Sequence, residues 1–309
     1  MPKLHSRIGT FRQLEILLAV YQTGSITGAS KKLFLTQPTV SMQLKKLSVA
    51  VGVPIYDYVG RKLVFTQAGL EVINSARDIL GGIDRLEMKL SDMQGLKVGT
   101  LRLAVVSTAK YFIPHLLGEF LKHYPDIEID FKVGNRQQIM DWLATGEDDF
   151  YVFSHPPGNL KLHLYEFLPN PLIAIAEKSH PLAVEKNISL QRFSEQPFLM
   201  REGGSGTRDA VVRHFTQFGI QPNIRMTIES NEAIKHAVMS GLGVSILSSH
   251  TLAFGGSSGL ATLDVQHLPI MTKWFLANLQ AKKLSVAANA FLEYVKEYER
   301  GSMLSQVPE

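Results

Sequence analysis

Three short amphipathic segments follow one another within residues 10–47, and their close spacing constrains the fold of this region most. Thr10 and Ser25 precede the first two segments and Gly24 separates them, which predicts two capped helices. Thr36, followed by Pro38, predicts the N-cap and first turn of a third helix. Apolar residues recur at helical spacing in all three segments: Phe11, Leu14, Leu17, Leu18, Tyr21, Ile26, Ala29, Leu33, Val40, Leu44 and Leu47. The pattern predicts a small, all-α core.

The second and third segments are typical of a helix-turn-helix, because the third carries small polar and basic residues outside its apolar stripe. In that motif the second helix enters the major groove of DNA with its N-terminal residues at the base edges. Gln37 offers a donor and an acceptor, which suits adenine, and Ser41 suits a base or a phosphate. Lys45 and Lys46 suit phosphates. For each residue alone, an ordinary solvated helix face is the alternative.

The distribution of charge favours contact with a polyanion. Residues 1–62 carry nine Lys and Arg but only two Asp and Glu, out of 32 and 28 in the whole chain. Residues 53–66 alternate between apolar and polar around Gly60, Arg61 and Lys62, which predicts a hairpin with a basic tip. Such a hairpin is either a wing that reaches DNA through Arg61 or a generic hairpin.

A long helix is predicted from Gln67 to Met93. Two series of residues repeat every seven positions along it: Ala76, Ile83 and Leu90, and Ile79, Leu86 and Met93. A lone helix gains little stability from so narrow an apolar stripe. The pattern therefore favours pairing with a second copy of the chain. The alternative is a helix docked on its own domain. A hinge is predicted at residues 94–99.

The remaining 200 or so residues alternate between strand and helix patterns, which predicts a parallel α/β architecture, with room for two subdomains. Ligands of such folds bind beyond the strand ends, where helix N-termini gather. Three strand-to-helix turns carry residues suited to an anion: Ser107 and Thr108, Asn135 and Arg136, and the glycine-rich stretch 201–208. Each could instead be a simple helix cap, and for Asn135 that reading is the stronger one. Residues 201–208 favour an anion site.

The N-terminal region, residues 1–66, is called the head, and it resembles the LysR-type transcriptional regulators. The resemblance lies in SITGASKKLFLTQPTVSMQL (25–44) and GRKLVFTQAG (60–69). It implies that Gln37, Pro38, Ser41 and Arg61 lie at the DNA. Met42 and Tyr58 depart from the family, in which arginines are usual at those positions. The full predicted DNA-binding set is Ser25, Thr36, Gln37, Pro38, Thr39, Ser41, Met42, Lys45 and Arg61.

The second half is similar to the CbbR-like members of that family, which regulate carbon-fixation genes. The matching stretches are VSTAKYFIPHLL, VGNRQQI, REGGSGTRDAV, SNEAIKHAVMSGLGVSILS and DVQHLPIMTKWFLANLQAKKLS. The resemblance implies a periplasmic-binding-protein-like sensor of two subdomains joined by two crossing strands, with its ligand in the cleft. The predicted effector-binding set is Ser107, Thr108, Asn135, Arg136, Arg201, Gly203, Gly204, Ser205, Gly206, Thr207, Arg208 and Asn231. Residues 149–155 are bulkier than is usual in the family and are expected to reshape that cleft.

The predicted organisation is multidomain. It comprises an all-α winged helix-turn-helix domain (1–66), a linker and dimerisation helix (67–94) and an α/β effector-binding domain (95–305). Subdomain I is expected at about 99–165 with 268–305, and subdomain II at about 166–267. The expected partners are double-stranded DNA, a small effector (organic acid, sugar phosphate or nucleotide) and a second copy of the chain, as homodimer or homotetramer. RNA polymerase is a further candidate partner.

Composition limits the remaining classes of function. A hydrophobic content of 45%, a charged content of 19% and the absence of cysteine fit a folded protein without disulfides. No segment resembles a signal peptide or a membrane span, so the cytoplasm is expected. No histidine pair has the His-Glu-x-x-His spacing, and neither an enzyme nor a cofactor or metal is expected. The alternative function is a solute-binding sensor that does not bind DNA.

Overall fold

A computed structural model describes residues 10–60, 62–93, 98–158 and 160–300. The chain divides into two compact units, Met1–Leu90 and Ser91–Glu309. None of the described helices is both long enough and apolar enough to cross a bilayer.

The first unit begins with the three predicted helices, α1 (Phe11–Thr23), α2 (Ile26–Leu33) and α3 (Gln37–Val51). Gly24 ends α1 in the left-handed conformation, which glycine adopts without strain. The predicted caps of α2 and α3 are present, whereas the side chain of Thr10 forms no capping hydrogen bond. Of the eleven predicted apolar residues, six are buried in the core of this unit and four pack against it, and the core also includes Ile16, Ala19, Val20, Ile55, Ile73 and Ala76. The prediction was wrong for Phe11, which is 58% exposed because it is the first residue of α1 and lies outside this core.

The predicted hairpin consists of β1 (Tyr56–Val59) and β2 (Lys62–Phe65), which pair antiparallel with Val59 opposite Lys62. Gly60 has a φ of +64°, in the left-handed region, as a tight turn requires. Arg61, the predicted basic tip, lies outside the described residues.

Helix α4 spans Gln67–Met93, as predicted. Ala76 packs in the core of its own unit, so this member of the heptad pattern is unavailable to a partner helix. Three later members are exposed, Ile79 by 43%, Leu86 by 55% and Leu90 by 51%, whereas Ile83 is half-buried. The side chain of Met93 lies outside the described part of the chain. An apolar stripe left in water on a long helix is typical of a helix that pairs with another.

The second unit begins with β3 (Gly99–Val106), β4 (Ile127–Gly134) and β5 (Phe150–Phe153), in which β4 and β5 flank β3 in parallel. A short 3₁₀ turn (Ala109–Tyr111) and helix α5 (Ile113–His123) connect β3 to β4, and α6 (Arg136–Thr145) connects β4 to β5. These connections bring the ends of β3, β4 and β5 to one edge of the sheet.

Two long strands continue this sheet into a second group of strands. They are β6 (Leu162–Glu177) and β11 (Ile270–Leu279), which pair antiparallel along the whole of β11. Their register shifts between Trp274 and Phe275. The N-terminal half of β6 lies beside the C-terminal half of β11, which pairs with β5. Beyond it, β6 pairs with β9 (Ser245–Ser248) and β10 (Leu260–Thr262).

The prediction of a parallel sheet was therefore wrong for part of the unit. Pairings β3–β4 and β3–β5 are parallel, whereas every pairing of β6 and β11 is antiparallel. The two crossing strands run in opposite directions because one leaves the first group of strands and the other returns to it. The local residue patterns that predict each strand carry no information on that direction.

The second group of strands also includes a separate parallel pair, β7 (Phe198–Arg201) and β8 (Ile224–Ile228). The helices around it and at the end of the chain are α7 (Leu190–Ser194), α8 (Gly206–Gln217), α9 (Asn231–Met239), α10 (Ser249–Gly255) and α11 (Val286–Arg300). Helices α7 and α10, strand β10 and the first half of β6 are short or carry prolines, and local sequence patterns are weakest in such elements.

Candidate functional site

The surface of α3 presents the predicted DNA-binding residues to solvent. Gln37, Pro38, Ser41, Met42 and Lys45 are all exposed, whereas the opposite face of the helix is buried in the core. Small and polar side chains at the start of a projecting helix suit the major groove, where they reach donor and acceptor groups of the bases. Met42 is 48% exposed and brings an apolar side chain, not a cation, to this surface.

Two hydroxyls of the predicted set act first as helix caps. Ser25 Oγ accepts a 3.0 Å hydrogen bond from the backbone N–H of Gly28. Thr36 Oγ1 accepts from the backbone N–H of Thr39 at 3.4 Å and lies 2.8 Å from Thr39 Oγ1. These bonds satisfy N–H groups that the first turns of α2 and α3 leave unpaired, so these residues set where each helix begins.

A side-chain hydrogen bond attaches α3 to α1. Gln13 Nε2 donates to Gln43 Oε1 at 3.0 Å, beside the buried residues Val40 and Leu44. The recognition surface is therefore held on a rigid base. Tyr58, at which the family usually has an arginine, is 53% exposed on the hairpin.

The second unit contains a cleft of about 320 Å³, part of it open to solvent, at the ends of β3, β4, β5 and β7. Eight of the twelve predicted effector residues line it, and they come from all three predicted strand-to-helix turns: Ser107, Thr108, Asn135, Arg136, Arg201, Ser205, Gly206 and Thr207. The cleft lies between the two groups of strands, so a ligand there would contact both.

Arg201 is at the centre of a buried polar network beside this cleft. Its Nε and NH2 donate to the two carboxylate oxygens of Glu202 at 2.8 and 3.0 Å. NH2 also donates to Ser107 Oγ at 3.2 Å, and NH1 donates to Asn231 Oδ1. Because Arg201 is only 2% exposed, these bonds compensate the loss of hydration of its charge.

Four predicted residues do not line the cleft, and two of them support residues that do. Asn231 Nδ2 donates to Thr108 Oγ1 at 3.2 Å and so links α9 to the end of β3. Arg208 NH1 donates to the backbone oxygen of Arg201 at 2.7 Å. Gly203 and Gly204 lie in the turn before α8, where Gly204 has a φ of +84°. That conformation explains the glycine without any contact to a ligand.

Asn135 has the structural role that the sequence favoured. Its side chain accepts from the backbone N–H of Gln138 at 2.9 Å, and Gln138 Oε1 accepts from the backbone N–H of Asn135 at 2.8 Å. This reciprocal pair is a capping box. Asn135 thus lines the cleft with a side chain that already has a partner.

Four further residues line the cleft: Val106, Phe153, Ser154 and His155. Three of them belong to the bulky strand end that was expected to reshape it. His155 Nδ1 lies 3.4 Å from Ser154 Oγ. Burial, followed by the charges of Arg213 and Arg136, lowers the pKa of His155, whereas Asp209 opposes this shift. The imidazole is consequently uncharged at neutral pH.

A further contact joins the two sides of the cleft. The hydroxyl of Tyr111, in the 3₁₀ turn after β3, donates to Glu232 Oε1 on α9 at 2.6 Å. Lys235 Nζ lies 3.1 Å from Glu232 Oε2. All three lie within stretches that carry the family resemblance, VSTAKYFIPHLL and SNEAIKHAVMSGLGVSILS, but that resemblance did not mark them as site residues, because only the fold brings them together.

A helix-turn-helix with an exposed recognition helix, together with a polar cleft on a separate α/β unit, defines a class of regulator that combines DNA binding with ligand sensing. Comparison with known families agrees. Residues 11–70 match the bacterial regulatory helix-turn-helix protein, lysR family, and residues 94–300 match the LysR substrate binding domain. The chain belongs to the LysR family of DNA-binding transcriptional regulators, which decides against a sensor that does not bind DNA.

Relatives within the family confirm the likeness to CbbR-like regulators. The chain is 47% identical over 299 residues to the HTH-type transcriptional activator CmpR of Synechocystis sp., covering 96% of this chain and 98% of that protein. It is 37% identical over 290 residues to the regulator CbbR of Rhodospirillum rubrum, covering 94% and 96%.

A solved structure supports the fold of the second unit. The regulatory domain of CcmR from Synechocystis PCC6803, in complex with 2-PG, superposes with a TM-score of 0.62 and 46% identity. The match covers 65% of this chain and 97% of that domain. The predicted fold class, a helix-turn-helix domain followed by a two-subdomain effector domain, is thereby confirmed.

Proposed function

We propose that the chain regulates genes of carbon fixation in response to a small anion, such as 2-PG, that binds in the cleft. One observation carries this proposal: the cleft gathers hydroxyls and a basic side chain from strand-to-helix turns that lie far apart in the sequence. Hydroxyls, backbone N–H groups and an arginine suit a carboxylate or phosphate. The RuBisCO operon transcriptional regulator of Acidithiobacillus ferrooxidans, to which the chain is 38% identical over 290 residues, supports the gene class. The 2-PG complex of the CcmR domain supports the ligand.

The head would read DNA as one half of a homodimer or homotetramer. The exposed stripe of α4, represented by Ile79, Leu86 and Leu90, would pair two copies of the chain. Two heads would then occupy half-sites separated by about one helical turn of DNA or a multiple of it. Within each head, the nine residues of the predicted DNA-binding set would contact the duplex, with Arg61 at the tip of the wing.

Effector binding would act through the two crossing strands. The cleft is lined from one side by residues such as Thr108 and Arg136, and from the other by residues such as Ser205 and Thr207. A ligand that touches both sides favours the arrangement in which they are close, and so shifts the population of conformations. A change in the spacing of the paired sensor domains would alter the spacing of the heads on DNA.

A pair of glycine substitutions tests the location of the site. A Cβ atom at Gly206 would meet Ser154 Oγ at 3.3 Å, whereas one at Gly203 would meet nothing within 4 Å. Gly206→Leu should therefore fill the cleft and abolish 2-PG binding, measured by calorimetry, while Gly203→Leu in the same turn should bind normally. DNase I footprinting on the promoter upstream of a carbon-fixation gene should show a 2-PG-dependent change for the wild type and for Gly203→Leu only.

Three results would contradict the proposal. An unchanged footprint at saturating 2-PG would show that 2-PG is not the effector. Normal affinity of Gly206→Leu for 2-PG would show that the ligand binds elsewhere. Specific binding that is absent from every carbon-fixation promoter would remove the gene class.

The chain is proposed to act in the cytoplasm, where bacterial DNA lies, and not as an enzyme. Residues 255–259 have a Gly-x-Ser-x-Gly spacing around Ser257, but they begin at the last residue of α10 and precede strand β10. A nucleophile elbow requires the serine at a turn from strand to helix. Incubation of the pure protein with 2-PG should therefore return the ligand unchanged.

The domain limits at residues 66/67 and 94/95 are likewise proposed, and limited proteolysis would locate them.

A further inference from the structure

The basic groups near the cleft differ in whether the protein itself neutralises them. Arg201 shares two hydrogen bonds with the carboxylate of Glu202, and its remaining donors reach Ser107 and Asn231. An incoming anion would have to displace Glu202 to pair with this guanidinium in the same way. Arg201 therefore contributes to the shape of the cleft more than to its net charge.

Arg136 lies on the opposite wall, which is not neutralised in this way. Within the described part of the chain, Arg136 forms no ion pair with a carboxylate. Its Nε donates a long, 3.4 Å hydrogen bond to the backbone oxygen of His155. The imidazole of His155 and the hydroxyl of Ser154 line the same wall. This wall holds the charge that remains for a ligand.

The charged groups that act on His155 come from two helices. Arg136 belongs to α6, and Arg213 and Asp209 belong to α8. Two positive charges against one negative charge, together with partial burial, keep the ring uncharged at neutral pH. A doubly negative ligand group would reverse the sign of that local field.

We propose that His155 makes the cleft selective for a group with two negative charges, such as a phosphate monoester, because its ring takes up a proton from solvent when that group binds. The proton adds to the unprotonated ring nitrogen, which then donates to the ligand. Arg136 alone can balance the charge of a single carboxylate, so a carboxylate stabilises the protonated ring of His155 less. This inference rests on the proposed function, in which the cleft binds a small anion.

Calorimetry with 2-PG on the full chain tests the proton. Binding to the wild type is measured at pH 7.0 and pH 8.5 in two buffers that differ in ionisation enthalpy, and compared with His155→Gln. Proton uptake changes the dissociation constant by up to about tenfold per pH unit. We expect Kd of the wild type to rise at least about fivefold more than Kd of His155→Gln over this range. Ionisation of the ligand itself cancels, since it is the same for both variants.

Matched variants and competitors isolate the cause. His163→Gln changes an exposed histidine on β6 that does not line the cleft, and it should behave as the wild type. His155→Asn replaces His155→Gln if the latter has a lowered unfolding midpoint. At equal ionic strength, sulfate should displace 2-PG from the wild type more effectively than acetate does, and His155→Gln should lose most of this preference.

The outcomes separate this inference from the proposed function. Equal pH dependence in the wild type and His155→Gln, or equal competition by sulfate and acetate in the wild type, would overturn the role of His155 and leave the effector site intact. Failure of the wild type to bind 2-PG would overturn both. A binding enthalpy that depends more on the buffer in the wild type than in His155→Gln would support the uptake of a proton.

Discussion

Tyr111 and Glu232 form a 2.6 Å hydrogen bond that joins the turn after β3 to the first turn of α9. Burial, which raises the pKa of Glu232, is outweighed by the hydrogen bonds from Tyr111 and Lys235, so its pKa is lowered and the carboxylate is ionised at neutral pH. Hydrogen bonds to charged groups are stronger than those between neutral groups. This bond favours the arrangement in which the two sides of the cleft are close.

Tyr111→Phe should therefore weaken effector binding. Since Glu232 keeps Lys235 as a partner at 3.1 Å, we expect a loss of about 1 kcal/mol, or about fivefold in Kd for 2-PG. Calorimetry measures it. Tyr58→Phe removes a hydroxyl from the hairpin of the other unit and should leave Kd unchanged. If Tyr111→Phe binds 2-PG as tightly as the wild type, the bond has no part in closing the cleft.

Gln37 and Lys45 should differ in how they affect DNA binding. Gln37→Ala removes a side chain placed for a base edge and should reduce affinity for the specific site by about 1–3 kcal/mol, with little effect on unrelated DNA. Lys45→Ala should weaken binding to all duplexes and lower the slope of log Kd against log salt by about one.

Fluorescence anisotropy with specific and scrambled duplexes at several salt concentrations separates the two effects. Gln191→Ala, on α7 of the effector unit, is the matched control. A Gln37→Ala protein that loses affinity equally for both duplexes would show that Gln37 contacts the backbone and not a base.

Leu86→Asp should dissociate the proposed dimer. Leu86 is 55% exposed on α4, so the substitution leaves the fold of a single chain intact but places a charge in the paired stripe. Sedimentation equilibrium should show a dimer dissociation constant at least about tenfold higher. Val184→Asp, at a position 87% exposed in the effector unit, is the control. An unchanged mass for Leu86→Asp would place the dimer interface elsewhere.

His250 should make the stability of the second unit depend on pH. Burial lowers its pKa from 6.5 to about 4. The unfolded chain therefore binds a proton between these values that the folded chain does not, so the free energy of unfolding falls as pH decreases through 6.5 and levels off near 4. Above pH 6.5 the ring is neutral in both states and this contribution disappears.

The expected loss between pH 7 and pH 5 is about 2 kcal/mol. Urea denaturation of the wild type and of His250→Gln at both pH values measures it. Trp274 and Phe112 pack beside the ring, so the variant is expected to be less stable at pH 7, and only the change with pH is diagnostic. Parallel changes in the two proteins would show that other groups titrate in this range.

Local sequence determined the elements that carry the function. The cap at Thr36, the proline in the next turn and the apolar stripe of α3 specify a helix with one exposed polar face, since each acts over a few residues. The same holds for the capping box at Asn135 and the glycine turn at Gly204. For this reason the sequence placed the predicted effector residues in strand-to-helix turns, the position from which eight of them line the cleft.

Tertiary structure alone decided how those elements combine. Pairing direction depends on chain connections, so the antiparallel course of β6 and β11 did not follow from their apolar patterns. Arg201 reaches Ser107 across 94 residues of sequence, and Tyr111 reaches Glu232 across 121, because packing brings these atoms together. Burial and neighbouring charge, which set the protonation of His155, exist only once the chain has folded.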